Sequence, residues 1–267
     1  MVAGPSNAPQ FGLERRRRLI EVLRENGRLE VSSLAEEFAV TSETIRRDLI
    51  NLEREGLVHR VHGGAILTER GHFVPGLPVR DRLMSDEKDA IAHVALQYMP
   101  PEGAVLIDAG STTGRLAEVF AGGLPLTVLT NGLQVATSLA AKPGLTVHTL
   151  GGRVRGNTLA EVDAAALRSL SRVHADVAFV GTYGVSVRHG FSTPDPAEAA
   201  VKEAMIAAAQ TTVILCDHTK IGREHFARFA EITTPAVLIT DSGAPGSLVR
   251  GIEAAGLEVV LAEAPQS

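Results

Sequence analysis

The chain has 267 residues, 45% of them hydrophobic and 4% aromatic, and a formal net charge of −5; this supports one large domain or a small and a medium one. The absence of tryptophan and the few aromatic residues argue against a surface that stacks single-stranded bases. A single cysteine excludes an intrachain disulfide, and no apolar run of membrane length and no signal peptide is found, so we expect a cytoplasmic protein without a membrane partner.

The N-terminal part of the chain is predicted to be helical. Residues 1–12 are rich in Gly, Pro and Asn and are expected to form a disordered tail. Apolar spacing predicts a helix over 13–26, a short second helix marked by apolar residues from Leu29 to Phe38, and a third helix over 41–55. LVHR is then predicted as a strand, and HGG as a tight turn into AILT. This order is typical of a winged helix-turn-helix, which we place at residues 13–68.

The third helix has one apolar and one polar side. Ile45, Leu49 and Leu52 are spaced i, i+4, i+7 and should be buried, with the hydroxyl of Thr41 capping the first turn. The first turns of a recognition helix meet base edges in the major groove, where Arg can contact guanine or phosphate. Off the apolar stripe, the candidates for DNA contact are Ser42, Glu43, Thr44, Arg46 and Arg47. The alternative is a solvated helix whose arginines pair with neighbouring acids, Asp48 or Glu53; the helix-turn-helix context favours DNA.

The predicted wing adds two further candidates. Arg60 is placed to touch a phosphate or the minor groove, and His62 lies in the adjoining turn. His59 and His62 have a spacing that could suit a metal, but no cysteine or carboxylate cluster accompanies them, so we expect loop histidines and no metal site. In residues 1–70, 11 Arg are balanced by 11 Asp or Glu, so a DNA-binding face must come from the arrangement of charge.

The remainder of the chain has the pattern of an α/β domain. Residues 69–85 contain two prolines and two glycines without periodicity and are predicted to be a linker, followed by a domain over 86–267. Apolar runs predict seven strands: VLID, LTVLT, TVHTL, VAFVG, TVILCD, AVLITD and LEVVLA. Helices are predicted between them at 86–98, 112–121, 132–141, 196–209 and 246–255. Such alternation indicates a mostly parallel sheet covered on both faces, and Cys216 should be buried in it.

Polar residues follow most of these strands, at the sheet edge where open α/β domains bind ligands. The candidates are Asp108, Gly110, Ser111, Thr112, Thr113, Thr130, Asn131, Gly152, Gly181, Asp217 and Lys220. The GSTTG stretch at 110–114 offers free amides and hydroxyls at a helix start, which suits an anion. No P-loop and no dinucleotide fingerprint is present, so we predict a phosphate without a nucleotide and no cofactor. Asp108, Asn131, Asp217 and Lys220 would suit the hydroxyls of a small polyol.

Both halves resemble the DeoR family of bacterial regulators of sugar metabolism. In the N-terminal half the resemblance is carried by Thr44-Ile45-Arg46-Arg47-Asp48-Leu49, Leu52-Glu53, Gly56, Arg60 and His62-Gly63-Gly64-Ala65, with Thr41 where the family usually has Ser. In the C-terminal half it is carried by Arg82, Glu87-Lys88, the Asp108-x-Gly110-Ser111-Thr112-Thr113 run, Thr130-Asn131, Gly151-Gly152, Gly181, Glu198, Lys202 and Asp217-x-x-Lys220. One stretch departs from the family pattern, GNTLAEVDAAAL, where Asp163 could alter the choice of effector.

The resemblance implies an isomerase/CoA-transferase-like fold for the larger domain and a sugar-phosphate effector. The Ser-Thr-Thr loop would surround the phosphate, Lys202 would reach the pocket, and Arg16 or Arg15 would contact DNA phosphates at the entry of the first helix. A simpler prediction for Lys202 is an i, i+4 ion pair with Glu198.

The sequence thus predicts a transcriptional regulator, most simply a repressor, rather than an enzyme. Its partners would be double-stranded operator DNA, a phosphorylated sugar or polyol effector, and further copies of itself in a dimer or tetramer, because paired half-sites need paired helices. It would lie in the cytoplasm, at the nucleoid when bound to its operator. The alternative is a sugar-phosphate isomerase-like enzyme with an appended DNA-binding domain, which we disfavour because chemistry needs no winged helix and no adjacent acidic pair marks a proton-transfer centre.

Overall fold

The computed structural model describes residues 12, 15–16, 18–23, 28–54, 58–61, 63–67 and 76–263, with only the backbone described at 28, 54, 59–61, 66 and 67. The chain divides into two compact units, Met1–Pro75 and Gly76–Ser267. The expected tail at 1–12 lies almost entirely outside the described residues. Within the described residues, no helix combines the length and the apolar character that crossing a membrane requires.

The N-terminal unit is a set of helices followed by a three-stranded sheet. Its helices are α1, in which residues 15–16 and 18–23 are helical, α2 (Val31–Glu37) and α3 (Ser42–Arg54). Its strands are β1 (Arg28–Glu30), β2 (Val58–Val61) and β3 (Gly64–Leu67), antiparallel in the order β1-β3-β2. The core joins Leu19 and Leu23 of α1 to Ile45, Leu49 and Leu52 of α3.

The extra strand β1 corrects one prediction. Leu29, assigned from its apolar spacing to the second helix, lies instead in β1 opposite Ala65. The chain there approaches β3 so closely that a Cβ on Gly64 would stand 1.9 Å from the carbonyl oxygen of Leu29. Only glycine fits such an approach, which gives the second glycine of the His-Gly-Gly-Ala stretch a steric reason.

The C-terminal unit is built on a seven-stranded sheet, and all seven predicted strands belong to it. The strands are β4 (Gly103–Ile107), β5 (Leu126–Thr130), β6 (Leu145–Thr149), β9 (Ala175–Gly181), β12 (Ala209–Leu215), β14 (Val237–Asp241) and β15 (Glu258–Ala262). Every pairing is parallel, in the order β15-β14-β12-β9-β4-β5-β6. The order reverses between β4 and β9, and the crevice at such a switch point is where α/β sheets bind ligands.

Helices cover both faces of this sheet. They are α4 (Leu77–Arg82), α5 (Ser85–Ala95), α6 (Ser111–Val119), α7 (Leu133–Ala140), α8 (Asp163–Leu170), α9 (Pro196–Ala207) and α10 (Gly246–Ala254), with 3-10 turns at Leu96–Tyr98 and His218–Lys220. In β9, Phe179 packs on the face that holds Ile91 of α5, and Val180 on the face that holds Met205 of α9. Cys216 is 1% exposed, as predicted, and burial raises the pKa of its thiol, so it is unreactive.

Two smaller strand groups lie outside the main sheet. A ribbon pairs β7 (Arg153–Val154) with β8 (Glu161–Val162), and an antiparallel sheet joins β10 (Gly184–Ser186), β11 (Gly190–Thr193) and β13 (Ala227–Ala230). Neither group is predicted from the sequence, and nor is helix α8.

The predicted linker at 69–85 differs from the structure in its second half. Residues 77–82 form α4, and the C-terminal unit already begins at Gly76. The amide of Leu77 donates to the carbonyl of Asn157 at 2.8 Å, and Arg115 of α6 donates to the carbonyl of Asp81 at 3.1 Å. These contacts from distant parts of the chain hold a helix that local sequence does not mark.

Candidate functional site

The exposed side of α3 carries the predicted DNA contacts. Ile45, Leu49 and Leu52 are at most 1% exposed, so the amphipathic assignment of the helix is correct. The amide of Thr44 donates to the hydroxyl of Thr41 at 3.2 Å, which is the predicted cap. Arg46, Arg47 and Glu43 are exposed, and Ser42 and Thr44 are partly exposed.

Two ion pairs in this unit differ in their burial. Asp48 does not pair with the arginines of its own helix; its carboxylate accepts from Nε of Arg15 at 2.6 Å and so ties α3 to α1. Arg15 is therefore engaged inside the unit, and the contact of Arg16 with DNA stays a prediction. Nη1 of Arg46 lies 3.5 Å from Oε2 of Glu43. The two side chains are 59% and 78% exposed, so solvent screens this ion pair and it contributes little to stability.

The structure describes the predicted wing contacts only in part. Arg60 lies in β2 with its backbone opposite Ala65, while its side chain lies outside the described residues. His62 also lies outside them.

In the C-terminal unit, the sheet order brings the polar strand ends together. From β12 through β9 and β4 to β5, they supply Asp217, Gly181, Asp108 and then Thr130 and Asn131 along one edge. Gly152 follows the next strand, β6. The sequence prediction that these positions share an edge is consistent with this order, while their contact with a ligand stays a prediction.

A buried ion pair lies at the switch point between β4 and β9. Nζ of Lys202, on α9, donates to the carboxylate of Asp108 and, at 3.0 Å, to the carbonyl of Gly181. The amide of Gly181 donates to the same carboxylate at 3.1 Å. Burial raises the pKa of Asp108, and the ammonium of Lys202 opposes that rise. Lys202 thus reaches the edge of the sheet, and the i, i+4 ion pair with Glu198 does not form.

Glu198 instead belongs to a second cluster. Its carboxylate accepts from Arg155 at 2.5 Å and from the hydroxyl of Thr158 at 2.9 Å, and Arg155 also lies 3.1 Å from Asp195. Both Arg155 and Thr158 lie between β7 and β8, and Thr158 belongs to the GNTLAEVDAAAL stretch that departs from the family pattern. Asp163, singled out there, accepts from Arg153 at 2.7 Å on the surface.

Thr130 and the side-chain oxygen of Asn131 are hydrogen-bonded to the backbone. The hydroxyl of Thr130 donates to the carbonyl of Ile107 at 2.5 Å and accepts from the amide of Gly132 at 3.0 Å. The side-chain oxygen of Asn131 accepts from the amide of Ala109 at 2.7 Å. Both residues therefore fix the loop that leads into α6.

Gly152 is also required by packing. At its φ of 114°, a Cβ would stand 2.5 Å from the carbonyl oxygen of Val162, so no side chain fits. This steric need accounts for the glycine without a ligand.

The start of α6 is the candidate anion-binding element of this edge. Its first turn contains Ser111, Thr112 and Thr113, which are at most 8% exposed, and a helix leaves its first amides without partners inside the helix. The hydroxyl of Thr113 donates to the carbonyl of Gly110 at 3.2 Å. Those of Ser111 and Thr112 have no hydrogen-bond partner among the described residues. Amides and hydroxyls at a helix start favour an anion, since the helix dipole adds to their attraction.

Besides Lys202, three cations lie at this edge, and two of them are not among the predicted site residues. Arg80 of α4 donates to the hydroxyl of Tyr183 at 2.6 Å. Lys88 of α5, 3% exposed, donates to the carbonyls of Arg80 and Leu83. Lys220 lies 3.7 Å from Asp217. Arg80 lay in the predicted linker and Lys88 was noted only as a match to the family, so no local pattern placed them here.

The electrostatics of these groups show an excess of positive charge. Burial lowers the pKa of Lys88 to about 8. Asp217 opposes this shift, whereas Lys220 and Arg80 lower the pKa further. Burial also lowers the pKa of Lys220. For Asp217, burial alone would raise the pKa, but Lys220, Thr219 and Lys88 together bring it below its usual value. Cations whose protonated forms are disfavoured by burial, and further by neighbouring cations, gain when an anion arrives.

In the part of the chain that the structure describes, no group of three or more His, Cys, Asp or Glu side chains is arranged to hold a metal ion. The hydroxyls, free amides and cations at the start of α6 suit an anion.

A winged helix-turn-helix unit followed by an α/β unit whose strand ends gather polar and charged groups along one edge is the architecture of ligand-responsive transcriptional regulators. The family profiles agree: residues 15–70 match the DeoR-like helix-turn-helix domain and residues 84–242 match the DeoR C terminal sensor domain. The chain belongs to the DeoR family of DNA-binding transcriptional regulators.

Relatives align over nearly the full chain. It is 32% identical over 240 residues to an uncharacterized HTH-type transcriptional regulator, YulB, of Bacillus subtilis (strain 168), covering 90% of this chain and 93% of the relative. It is 28% identical over 237 residues to the glycerol-3-phosphate regulon repressor of Escherichia coli (strain K12), covering 89% and 94%. Among solved structures, ribose 5-phosphate isomerase A from Methanocaldococcus jannaschii aligns at 15% identity and a TM-score of 0.38, over 51% of this chain and 54% of that one.

Proposed function

We propose that this protein is a repressor of a carbohydrate-metabolism operon whose affinity for operator DNA is controlled by a phosphorylated sugar or polyol bound at the carboxyl edge of the seven-stranded sheet. The observation that carries the proposal is the start of α6, where free amides and the hydroxyls of Ser111 and Thr112 meet an excess of cations. A phosphate satisfies both the helix start and those cations.

The sugar portion would lie toward the switch point. Asp108, Gly181, Lys202, Asp217 and Lys220 line this part of the edge, with charged and carbonyl groups suited to hydroxyls. Gly110 and Thr113 shape the phosphate loop, while Thr130, Asn131 and Gly152 support it from neighbouring strands. Several relatives bear names of the same kind, including a putative aga operon transcriptional repressor and a glycerol-3-phosphate regulon repressor.

DNA would be contacted from the N-terminal unit. Arg46 and Arg47 would reach bases or phosphates in the major groove with Ser42, Glu43 and Thr44 beside them. Arg16, Arg60 and His62 would contact the backbone from the first helix and the wing. A dimer or tetramer would present paired recognition helices to paired half-sites. The protein would act in the cytoplasm and at the nucleoid.

The enzyme alternative is disfavoured by the pairing of the carboxylates at this edge. Each carboxylate of the edge is neutralised by a cation: Asp108 by Lys202, Asp217 by Lys220 and Glu198 by Arg155. General acid–base catalysis needs a group poised to exchange a proton, and a cation beside a carboxylate stabilises its ionised form and weakens it as a base. Together with the family assignment, this favours a sensor over an isomerase.

The melting temperature of the full chain tests the sensor proposal. It should be measured with sugar and polyol phosphates, each beside its unphosphorylated parent, and with inorganic phosphate. A ligand at about 100 times its Kd adds about 2.7 kcal/mol, which raises the melting temperature of a unit of this size by roughly 5–10 °C. A phosphate that raises it where its parent does not supports the proposal. No shift with any compound would reject a sugar-phosphate sensor.

Operator binding tests the DNA half. Arg46→Ala and Arg47→Ala should each weaken binding to an operator selected from random duplex by about 1–3 kcal/mol, measured by fluorescence anisotropy. The exposed Arg172, in the other unit, supplies a matched control, and Arg172→Ala should bind as the natural protein does. Unchanged affinity in both α3 variants would remove α3 as the recognition helix.

A further inference from the structure

The short helix α4 brings a cation to the start of α6. The guanidinium of Arg80 donates to the Tyr183 hydroxyl at 2.6 Å, and its carbon lies 4.8 Å from the centre of the Tyr183 ring. One of its terminal nitrogens lies 3.9 Å from the point that a Cβ on Gly110 would occupy. Arg80 therefore lies beside Gly110, the N-cap residue of α6. It would be close to any group bound to the free amides of the first turn.

The partner that Arg80 has in this structure is neutral. Burial raises the pKa of the Tyr183 phenol, so at physiological pH it offers a hydroxyl and not a charge. None of the ion pairs found among the described residues includes Arg80. A guanidinium binds an anion more strongly than a neutral oxygen, with shorter and often paired hydrogen bonds. An anion on α6 would thus compete successfully with Tyr183.

Arg80 also occupies a special position along the chain. Its helix begins at Leu77, two residues after Pro75, the last residue of the N-terminal unit. The side chain of Lys88 holds the carbonyls of Arg80 and Leu83, at the end of the same helix. A change in what Arg80 binds therefore acts on the segment of the sensor unit that is joined directly to the DNA-binding unit.

We propose that Arg80 is a ligand for the anionic group of the effector, that it exchanges the Tyr183 hydroxyl for this anion, and that the accompanying shift of α4 transmits occupancy toward the DNA-binding unit. This inference rests on the proposed anion site at the start of α6 and adds its regulation. A ligand shifts a conformational equilibrium only through contacts that differ between the two states, and the exchange of Arg80 is such a contact.

Inorganic phosphate is the probe for the first test, on the full chain. Calorimetry gives its Kd, and hydrogen exchange read by mass spectrometry follows the peptides that cover α4 and the start of α6. Phosphate should slow exchange at 111–114 and change it at 77–83. Arg80→Gln should weaken phosphate binding at least about tenfold and abolish the response at 77–83. Arg82→Gln removes an exposed arginine from the same helix and should behave as the natural protein does.

Tyr183→Phe tests the exchange in the opposite direction. It keeps the ring and removes the competing hydroxyl, so phosphate should bind a few-fold more tightly. Weaker or equal binding by Tyr183→Phe, or natural affinity in Arg80→Gln, would overturn the role of Arg80. Protection at 111–114 without any change at 77–83 would overturn transmission through α4 while leaving the anion site intact. No protection at 111–114 would reject the anion site itself, and the inference with it.

Discussion

The buried ion pair between Lys202 and Asp108 makes the stability of the sensor unit sensitive to substitution of either residue. The two side chains are 3% and 1% exposed, so removing one charge strands the other away from water. Lys202→Met should lower the free energy of unfolding by about 3–5 kcal/mol, and Asp108→Asn in the same chain should recover most of it. Urea denaturation of the two variants measures this. A single variant as stable as the natural protein would mean that the carboxyl is already protonated.

The buried ammonium of Lys88 predicts a pH dependence of stability. Its pKa, lowered by burial to about 8, lies below that of the unfolded chain, so the unfolded state holds more protons between these values. Stability should therefore rise with pH above about 8, by roughly 2 kcal/mol between pH 7.5 and 9.5. Lys88→Met keeps the packing and removes the titration, so the natural protein should gain this amount relative to it in urea denaturation. An equal pH profile for both proteins would contradict the shift.

At the scale of elements, sequence patterns succeeded where an element is defined by its own apolar residues. The seven strands of the main sheet are apolar runs, most completely buried in the central strands, and each was predicted. Helix α4 has one buried residue, Leu77, and is held by Tyr183, Asn157 and Arg115 from distant parts of the chain. Such contacts have no local signal, since tertiary packing overrides propensity.

The residues of the candidate site likewise include some that the sequence predicts and some that it does not. Residues that end strands or start helices, such as Asp108 and Ser111, could be predicted because strand ends share an edge. Arg80 and Arg155 enter from segments with no regular pattern, so only the folded chain reveals them. The apolar spacing of Leu29 fits a helix, but it also fits a short strand. Pairing with β3 places Leu29 in a strand.

The link between α1 and α3 gives a prediction for the DNA-binding element. The Arg15–Asp48 pair has 17% and 10% of its side chains exposed, whereas Arg46–Glu43 is mostly in solvent. Asp48→Ala should therefore destabilise α3 by about 2–3 kcal/mol, because it leaves Arg15 without its partner, and Glu43→Ala should cost less than about 0.5 kcal/mol. Hydrogen exchange of the α3 amides distinguishes the two. Equal protection in both variants would show that Asp48 does not hold the recognition helix.

For the whole molecule, the two binding activities must be linked. If an effector lowers DNA affinity by some factor, bound DNA lowers effector affinity by the same factor. Titrating operator with and without saturating effector, and effector with and without saturating operator, gives two independent values of this factor. The proposed regulator requires that they agree and exceed one. A factor of one in both titrations would leave two binding units without communication.

A substitution at the anion site separates this linkage from damage to the fold. Ser111→Ala removes a hydroxyl from the start of α6 and should weaken the effector about tenfold, so about ten times more is needed to release DNA. Affinity for operator without effector, and its steep fall with salt, should not change, because phosphate contacts come from the other unit. Thr137→Ala removes an exposed hydroxyl from α7 and should alter neither. If Ser111→Ala instead lowered operator affinity in the absence of effector, the start of α6 would be acting on the DNA-binding state directly, and not through occupancy by an anion.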